Sequence, residues 1–487
     1  MPRKTFDRKA VALQWRRTKI IATLGPASDS PEMIAKLVGA GVDLFRINMS
    51  HGDQDTHRKT VKHVRRAAKN AGRHIAVLMD LCGPKIRVGK FESGSIPLKT
   101  GSIVTVTTRP VTGKPDLIPS QYKSLHKDVN PGERILLDDG NLTLRVLEVE
   151  GTEVSCKVVE GGVLSNHKGM NLPNSRLSTT ALTAKDRADV RLAVEADVDF
   201  VALSFVRQAR DVQQLSRYLK RLGSGIPIIS KIEHPDGVAN IDDILKESYG
   251  IMIARGDLGI ELPAEKVPLI QRELVQKARQ RGIPVIVATQ MLESMMTHSR
   301  PTRAEVTDVA GAALLSADAA MLSGESAAGK YPIKAVQAMD RILREVERHQ
   351  WHEGHFAIES ISDRGQKTHF VRESMAHAAV QLTHDLEVDA IIVPTHTGTT
   401  ARIMAAHRPL PPAVGACSDI RICRQMALHW GIVPVYVDKA RSRSWRKVCA
   451  LIAQQCRLGE SGHDMLLVSG FNDDPVKNEP VLKLLHL

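Results

Sequence analysis

Charged and hydroxyl side chains recur at the ends of six of eight short apolar runs in the first two thirds of the chain. If these runs are strands of a parallel barrel, their carboxyl ends meet at one rim, where barrel enzymes carry out their chemistry. Lys and Arg beside Asp and Glu suit a polyanionic substrate bound with a hard cation. The candidates are Arg46, Asn48, Ser50, His51, Asp80, Lys85, Arg87, Lys231, Glu233, Arg255, Gly256, Asp257, Thr289, Gln290, Ser323 and Glu325.

Glu233 and Asp257 are candidate ligands of one Mg²⁺ ion, because they end neighbouring predicted strands. Two carboxylates leave most of the octahedron to water and substrate oxygens, as is usual in phosphoryl-transfer sites. The alternative is that each is a surface carboxylate paired with a nearby Arg or Lys.

Lys231 lies two residues before Glu233, so both side chains point to the same face of a strand. Its amine could form a Schiff base, hold a phosphate or pair with a carboxylate. A neighbouring Mg²⁺ site favours the phosphate role. Gly256 lets backbone N–H groups approach a carboxylate or phosphate.

The elements that must position these residues alternate between apolar runs and amphipathic stretches. The alternation predicts a closed (β/α)₈ barrel, with an open doubly wound sheet as the competing topology. The predicted strands are residues 19–24, 42–49, 74–81, 200–205, 227–233, 250–257, 284–291 and 319–323.

Two further units accompany the predicted barrel. Residues 88–173 alternate in polarity, with hairpin turns expected at Asp139-Gly140 and Glu150-Gly151, and predict a small inserted β-barrel that caps the rim. Another strand–helix series predicts an open C-terminal α/β domain. The expected boundaries are a basic arm over 1–17, the barrel over 18–87 and 174–348, the cap over 88–173 and the C-terminal domain over 349–487.

Composition narrows the class of protein. The 487 residues predict about three domains, and no apolar run is long enough for a membrane-spanning helix. The six cysteines lack zinc-site spacing, so reduced thiols in a cytoplasmic, non-exported protein are expected. The net charge is +13, but aromatic residues make up only 3 %, which disfavours nucleic-acid binding. A solvated arm or an anionic substrate explains the charge instead.

Across the barrel the sequence resembles the pyruvate kinase family, in its bacterial type with Lys after Gly-Pro. The match covers the chain beyond about residue 17, and the cap and C-terminal domain fall where the family has them. The segments that carry it are TKIIATLGPAS (18–28), FRINMSHG (45–52), DLCGPKIR (80–87), SKIE (230–233), ARGDLG (254–259), ATQMLES (288–294) and MLSGE (321–325).

The resemblance implies transfer of phosphate from phosphoenolpyruvate to ADP, giving pyruvate and ATP, in a homotetramer. It implies that Glu233 and Asp257 bind Mg²⁺ or Mn²⁺. The enolate product must then be protonated at carbon through a hydroxyl or water relay, for which Thr289 and Ser323 are candidates, and the resemblance does not settle the donor. Closure of the cap would complete the site. By the same resemblance the substrate is held by Arg46, Lys231, Gly256, Asp257 and Thr289, and the nucleotide by Asn48, Ser50, His51, Arg87 and Lys168.

Lys85 departs from many members, which have Glu there and bind K⁺ at the equivalents of Asn48, Ser50 and Asp80. We expect the ammonium of Lys85 to replace the charge of K⁺ and make K⁺ dispensable. The alternative is a solvated Lys85 beside an unchanged K⁺ site.

A threonine-rich turn in the C-terminal domain resembles the effector site of many pyruvate kinases. Its hydroxyls, Gly398 and a helix N-terminus could hold a sugar phosphate or AMP, with Trp445 and Arg443 nearby. An ordinary helix cap explains the same residues. The candidates are Thr395, Thr397, Gly398, Thr399, Thr400 and Arg402.

Three other functions compete with this interpretation. A catalytically silent relative would be expected to lack Lys231, Glu233, Asp257 or Thr289, and all four are present. A lyase or aldolase could use Lys231 as a Schiff base, although the neighbouring carboxylates argue against it. The third competing function is nucleic-acid binding through the basic arm.

Overall fold

The computed structural model describes residues 16–173, 175, 178, 180–352, 367–438, 445–455, 462, 464–472 and 477–486. Eight parallel strands form a closed barrel, because the first strand pairs with both the second and the eighth. The closed barrel predicted from sequence is therefore confirmed over the open sheet. In chain order the barrel strands are Lys19–Leu24, Leu44–Asn48, Ala76–Asp80, Phe200–Leu203, Ile228–Ile232, Gly250–Ala254, Val285–Ala288 and Ala319–Leu322.

Helices cover the outside of the barrel and start at side-chain caps. Thr183 and Thr302 each begin a helix with a reciprocal capping box, which satisfies N–H groups that the first turn leaves unpaired. The helices of this unit are Pro31–Gly39, Gln54–Asn70, Ala184–Glu195, Ala209–Arg221, Pro235–Ala239, Ile241–Glu247, Arg255–Glu261, Val267–Gln280, Arg303–Leu314, Gly324–Ala327 and Pro332–His352, with 3₁₀ turns at Ala264–Lys266 and Glu293–Met296.

The sixth barrel strand is shorter than its apolar run predicts. It ends at Ala254, and the helix Arg255–Glu261 begins at once. Gly256 and Asp257 therefore lie in the first turn of a helix, not on the strand as expected. An acidic side chain is favourable there, because the N-terminal end of a helix carries partial positive charge.

The inserted unit is all-β, as the alternating pattern predicts, and has its own apolar core. Six strands form one sheet and two form another. Both expected hairpin turns are present: Gly140 has φ +87° and Gly151 φ +57°, which glycine adopts without strain. The strands are Ser95–Leu98, Ile103–Thr107, Leu117–Pro119, Arg134–Leu137, Leu142–Glu150, Glu153–Glu160, Gly162–Ser165 and Met170–Asn171, with one short helix at Leu125–Asp128.

The C-terminal domain is an open five-stranded sheet with helices, as expected. Sequence reasoning missed its antiparallel edge strand, Val481–His486, because Lys483 interrupts its apolar residues and five of the six residues are at least partly exposed. The other strands are Ala390–Pro394, Ala413–Cys417, Ile432–Tyr436 and Asp464–Ser469; the helices are Lys367–Asp385, Thr399–Ala406, Ile420–Met426 and Trp445–Gln455.

The predicted basic arm falls mostly on residues 1–15, which lie outside the described residues. Its last two residues are not solvated. Arg16 is ion-paired with Asp43 and Asp340. The backbone N–H of Arg17, which is 2 % exposed, donates to Glu347 at 2.8 Å. These two charges therefore hold structure together.

A buried ion pair joins the floor of the barrel to the C-terminal domain. The Arg408 guanidinium donates to both carboxylate oxygens of Asp318, at 3.2 and 3.1 Å, and lies over the Trp430 ring. Asp318 also accepts the Val285 N–H of the floor at 3.0 Å. Within the described part of the chain, no helix is long and apolar enough to cross a membrane.

We expect Arg408→Met to lower the free energy of unfolding by about 3–5 kcal/mol, because it leaves the buried Asp318 carboxylate without its cation. Guanidinium denaturation measures the change. Arg348→Met, at an exposed pair with Glu345, is the control and should cost less than about 1 kcal/mol. Equal losses in the two variants would contradict a structural role for the buried pair.

Candidate active site

Lys231 is the centre of a buried charge cluster at the carboxyl end of the barrel. Its Nζ lies 2.8 Å from Glu233 Oε1 and 3.3 Å from Asp80 Oδ1, and donates to Ser204 Oγ at 2.8 Å. These groups come from the ends of the third, fourth and fifth strands. The sequence expectation that Asp80, Lys231 and Glu233 converge is met.

The charge state of Lys231 decides between its proposed roles. Burial alone would lower the pKa of the Lys231 amine, but the charges of Asp80 and Glu233 offset it and the pKa is raised. A Schiff-base nucleophile must be a neutral amine. The charged amine of Lys231 is therefore suited to stabilise an anion by its charge, and this disfavours the lyase or aldolase alternative.

Asp80 links Lys231 to Arg46. The Arg46 guanidinium contacts Asp80 Oδ2 from both Nε and Nη2 at 2.7 Å, and its Nη1 donates to Thr23 at 3.2 Å. Burial would raise the pKa of Asp80, but the charges of Lys231 and Arg46 outweigh it and lower the pKa. Asp80 thus stays ionised and fixes the two cations side by side.

Glu233 and Asp257 fit a divalent cation. Glu233 is fully buried, and its Oε2 accepts the Phe205 N–H at 2.8 Å. Burial raises the pKa of Glu233, Lys231 opposes that change, and the nearby charge of Asp257 adds to it. A cation between the two carboxylates would offset this cost. No group of three or more His, Cys, Asp or Glu side chains suited to a metal is found among the described residues.

Thr289 is held in a strained conformation next to Gly256. Its φ is +68° and that of Gln290 +53°, which cost of order 1–3 kcal/mol each outside glycine. The Gly256 N–H donates to Thr289 Oγ1 at 2.7 Å, and Arg255 donates to the Thr289 carbonyl at 2.6 Å. Two loops are thereby fixed together, and the hydroxyl lies beside the helix start as expected for a carboxylate site.

The candidate nucleotide residues divide into two groups. Asn48 accepts the Ser50 N–H at 3.1 Å at the end of the second strand, and His51 follows in an exposed turn. Arg87 and Lys168 lie at the edge of the inserted unit. Arg87 donates to the His167 carbonyl at 3.0 Å, and Lys168 pairs with Asp138 at 2.7 Å.

Lys85 is exposed in the loop after the third strand, where buried Asp186 accepts the Gly83 N–H at 3.1 Å. With Asp139 and Asp257 it lines a small cavity between the barrel and the inserted unit. Among the described residues, no hydrogen bond or ion pair joins Lys85 to Asn48, Ser50 or Asp80.

Sequence reasoning missed Ser204 and misjudged Glu325. Ser204 directly follows the fourth strand, so the strand-end rule would have found it. Glu325, proposed at the rim, is 2 % exposed and accepts the backbone N–H groups of Leu292 at 2.9 Å and Ser323 at 2.7 Å. Glu325 thereby holds together the loops that follow the seventh and eighth strands. Ser323 Oγ is buried without a hydrogen-bond partner.

The threonine-rich turn opens onto a cavity of about 520 Å³ in the C-terminal domain, lined also by Trp445. Thr395, Thr397, Thr399 and Thr400 lie on its wall, and Thr395 Oγ1 accepts the Gly398 N–H at 3.0 Å. The Thr395 hydroxyl thus closes the turn that precedes the helix Thr399–Ala406, whose N-cap residue is Gly398 and which has no side-chain cap hydrogen bond.

Arg402 does not join these threonines. Its guanidinium lies 5.5 Å from the ring of Tyr249 in the barrel. Arg402 follows Thr400 by two positions, and at about 3.6 residues per turn such residues lie on opposite sides of a helix. Arg443 lies outside the described residues.

Glu261 ends the helix that carries Asp257 and contacts the inserted unit, where Asn171 donates to it at 2.7 Å. Burial raises the pKa of Glu261 to about 7. Since the folded pKa lies above the usual value, the native state binds the proton more tightly. The resulting stability is present at low pH and is lost as pH rises through about 7.

We therefore expect this group to lower the free energy of unfolding by up to ~3 kcal/mol between about pH 5 and about pH 8. Glu261→Gln cannot titrate and should show a smaller decline in denaturation experiments at the two pH values. Glu247→Gln, at an exposed helix residue, should keep the wild-type profile. Parallel profiles for wild type and Glu261→Gln would exclude this role.

Comparison with known proteins agrees with this geometry. A family model described as the pyruvate kinase barrel domain matches residues 15–336, and one for the pyruvate kinase alpha/beta domain matches residues 373–478. A pyruvate kinase of Geobacillus stearothermophilus is 43 % identical over 86 % of this chain and 71 % of its own. One from Thermococcus litoralis is 41 % identical over 87 % of this chain and 89 % of its own.

The fold comparison gives the same result. The crystal structure of a pyruvate kinase from Cryptosporidium parvum superposes with a TM-score of 0.90 at 35 % identity, covering 98 % of this chain and 97 % of that one. Family, relatives and fold agree over both large domains, so the chain belongs to the pyruvate kinase family and is a phosphotransferase.

Proposed function

We propose that the protein transfers phosphate from phosphoenolpyruvate to ADP, giving pyruvate and ATP, with Mg²⁺ or Mn²⁺ as cofactor. The buried ammonium of Lys231 between Asp80 and Glu233 carries this proposal. Phosphoryl transfer depends on alignment and charge stabilisation more than on a covalent nucleophile. A preformed cation in a water-poor site supplies that stabilisation without reorganising during the reaction.

Lys231 and Arg46 would hold the phosphoryl group. Asp80 contacts both Lys231 and Arg46 and holds them close together, so they present two positive groups to one anion. Glu233 and Asp257 would hold the Mg²⁺ ion, which supplies charge neutralisation at phosphoryl oxygens when bound.

The substrate carboxylate would bind at the start of the helix Arg255–Glu261. In the structure the Gly256 N–H is bonded to the Thr289 hydroxyl. An incoming carboxylate would take over that N–H and the hydroxyl proton together. Thr289 and Ser323 are also the candidates for relaying a proton to the enolate, since both hydroxyls lie at this rim.

Asn48, Ser50, His51, Arg87 and Lys168 would hold the nucleotide. Lys168 now pairs with Asp138 within the inserted unit, and 45 % of its side chain is exposed. Closure of that unit over the rim would bring the lysine to the nucleotide phosphates and exclude water.

We also propose that the Lys85 ammonium replaces the charge of K⁺. The Gly83-Pro84-Lys85 motif, which resembles the bacterial type of the family, suggests this role. Its place beside Asp257 and Asp139 supports a role near the reacting phosphates. The alternative, an ordinary K⁺ site at Asn48, Ser50 and Asp80 beside a solvated Lys85, predicts K⁺ dependence.

The C-terminal cavity supports a proposed effector site for a sugar phosphate or AMP. Hydroxyl groups of Thr397 and Thr399, 2.9 Å apart, and the start of an eight-residue helix suit a phosphate group. We also propose that the protein is a homotetramer, as the family resemblance implies. Its binding partners are proposed to be small molecules.

We expect Lys231→Met to lower kcat at least ~10²-fold to ~10³-fold, because it removes a preorganised cation from the transferring phosphoryl group. Pyruvate formation from phosphoenolpyruvate, ADP and Mg²⁺ is the measurement. Lys246→Met, at an exposed pair with Asp243, is the matched control and should keep wild-type activity. Undiminished activity of Lys231→Met, or no wild-type activity under any condition, would overturn the assignment.

We expect wild-type activity to persist in K⁺-free buffer, because Lys85 supplies the positive charge. Lys85→Glu should lose most of that activity and regain it when K⁺ is added. Lys90→Glu, at an exposed position of the inserted unit, controls for the charge change. Strict K⁺ dependence of the wild-type enzyme would favour the alternative.

A further inference from the structure

Two cysteines contact each other in the C-terminal domain. Cys417 ends the strand Ala413–Cys417, and Cys423 lies on the following helix; they are 3 % and 0 % exposed. Cys423 Sγ donates to the Cys417 carbonyl at 3.7 Å, and both cysteines are free thiols. The two cysteines are therefore in contact without being bonded to each other.

The surroundings of Cys417 favour its thiolate. The neighbouring Cys423 thiol and the backbone N–H of Asp419, 3.4 Å from the sulfur, lower the pKa of Cys417 to about 7. In contrast, burial raises the pKa of Cys156 to about 12 and that of Cys449 to about 11. Thiolate is the nucleophilic form, so Cys417 is the reactive member of the set.

Access comes from the cavity of about 520 Å³, since Cys417 and Ser418 line its wall. A small, uncharged oxidant can enter a space of this size and approach Cys417 in its wall. The partner thiol is then in position to resolve whatever forms on Cys417, as expected of a redox-sensitive pair.

We propose that Cys417 and Cys423 form a peroxide-sensitive dithiol in the wall of the C-terminal cavity. The Cys417 thiolate attacks a hydroperoxide, breaks its O–O bond and becomes a sulfenic acid, while the alkoxide or hydroxide takes up a proton. The Cys423 sulfur then attacks the sulfenic sulfur and water leaves. Overall, two thiols are oxidised to one disulfide and the hydroperoxide is reduced to an alcohol, or to water, plus water.

The site is independent of the phosphoryl-transfer assignment, because none of the residues at the rim takes part. It changes the cavity that the proposed effector would occupy. A disulfide joins the end of the strand to the helix and removes both the thiolate charge and the thiol hydrogen bonds from that wall.

Peptide mapping of the full-length protein tests the proposal. After hydrogen peroxide treatment and alkylation of free thiols, non-reducing trypsin digestion should yield residues 403–421 joined to residues 422–424, two hydrogens lighter than the separate peptides. Dithiothreitol should separate them. Before oxidation, iodoacetamide should modify Cys417 at least ~10-fold faster than Cys449 near neutral pH.

Single variants give the controls. Cys423→Ser should abolish the linked peptide and leave Cys417 as a sulfenic acid that dimedone traps, while Cys449→Ala should form the link as the wild type does. A wild-type protein that forms no 403–421 to 422–424 link while its Cys82 is oxidised would overturn the proposal. So would Cys417 alkylating no faster than Cys449.

Discussion

The balance of charge around one buried ammonium governs the rim of the barrel. Lys231 has 10 % of its side chain exposed, and Asp80 and Glu233 are more buried still. None of these groups would stay ionised alone in so little water, because desolvation of an isolated charge costs several kcal/mol. Asp80 and Glu233 keep the Lys231 ammonium charged, and Lys231 and Arg46 keep Asp80 ionised, whereas burial raises the pKa of Glu233. Removing any one therefore alters the charge state of its partners as well as its own contact.

This mutual dependence explains why the groups come from different strands. The third strand supplies Asp80, the fourth leads to Ser204 and the fifth supplies Lys231 and Glu233. Closing the barrel brings the ends of these strands together, and backbone pairing sets their separation. The fold thus provides a rigid frame that holds like charges, such as Arg46 and Lys231, at positions they would not adopt freely.

Pattern reasoning identified most of this arrangement, and its failures have physical causes. Strand ends could be located from apolar runs, so Arg46, Asp80, Lys231 and Glu233 were found together. The run through residues 250–257 did not reveal where the sixth strand gives way to a helix, because buried helix starts and strands have the same polarity. Glu325 shows a second limit: a carboxylate at a strand end can serve backbone N–H groups as well as a ligand, and only its hydrogen bonds tell the difference.

Arg402 connects the C-terminal domain to the barrel, and its contact with Tyr249 bears on how binding in one domain affects binding in the other. The helix Thr399–Ala406 begins at the C-terminal cavity, and its Arg402 rests on Tyr249, which directly precedes the sixth barrel strand. The opposite end of that strand leads to Gly256 and Asp257. An effector that favours one placement of this helix and a substrate that favours one placement of that strand both act through the contact between Arg402 and Tyr249. If the contact of Arg402 with Tyr249 differs between those placements, thermodynamic reciprocity requires each ligand to change the affinity for the other by the same factor.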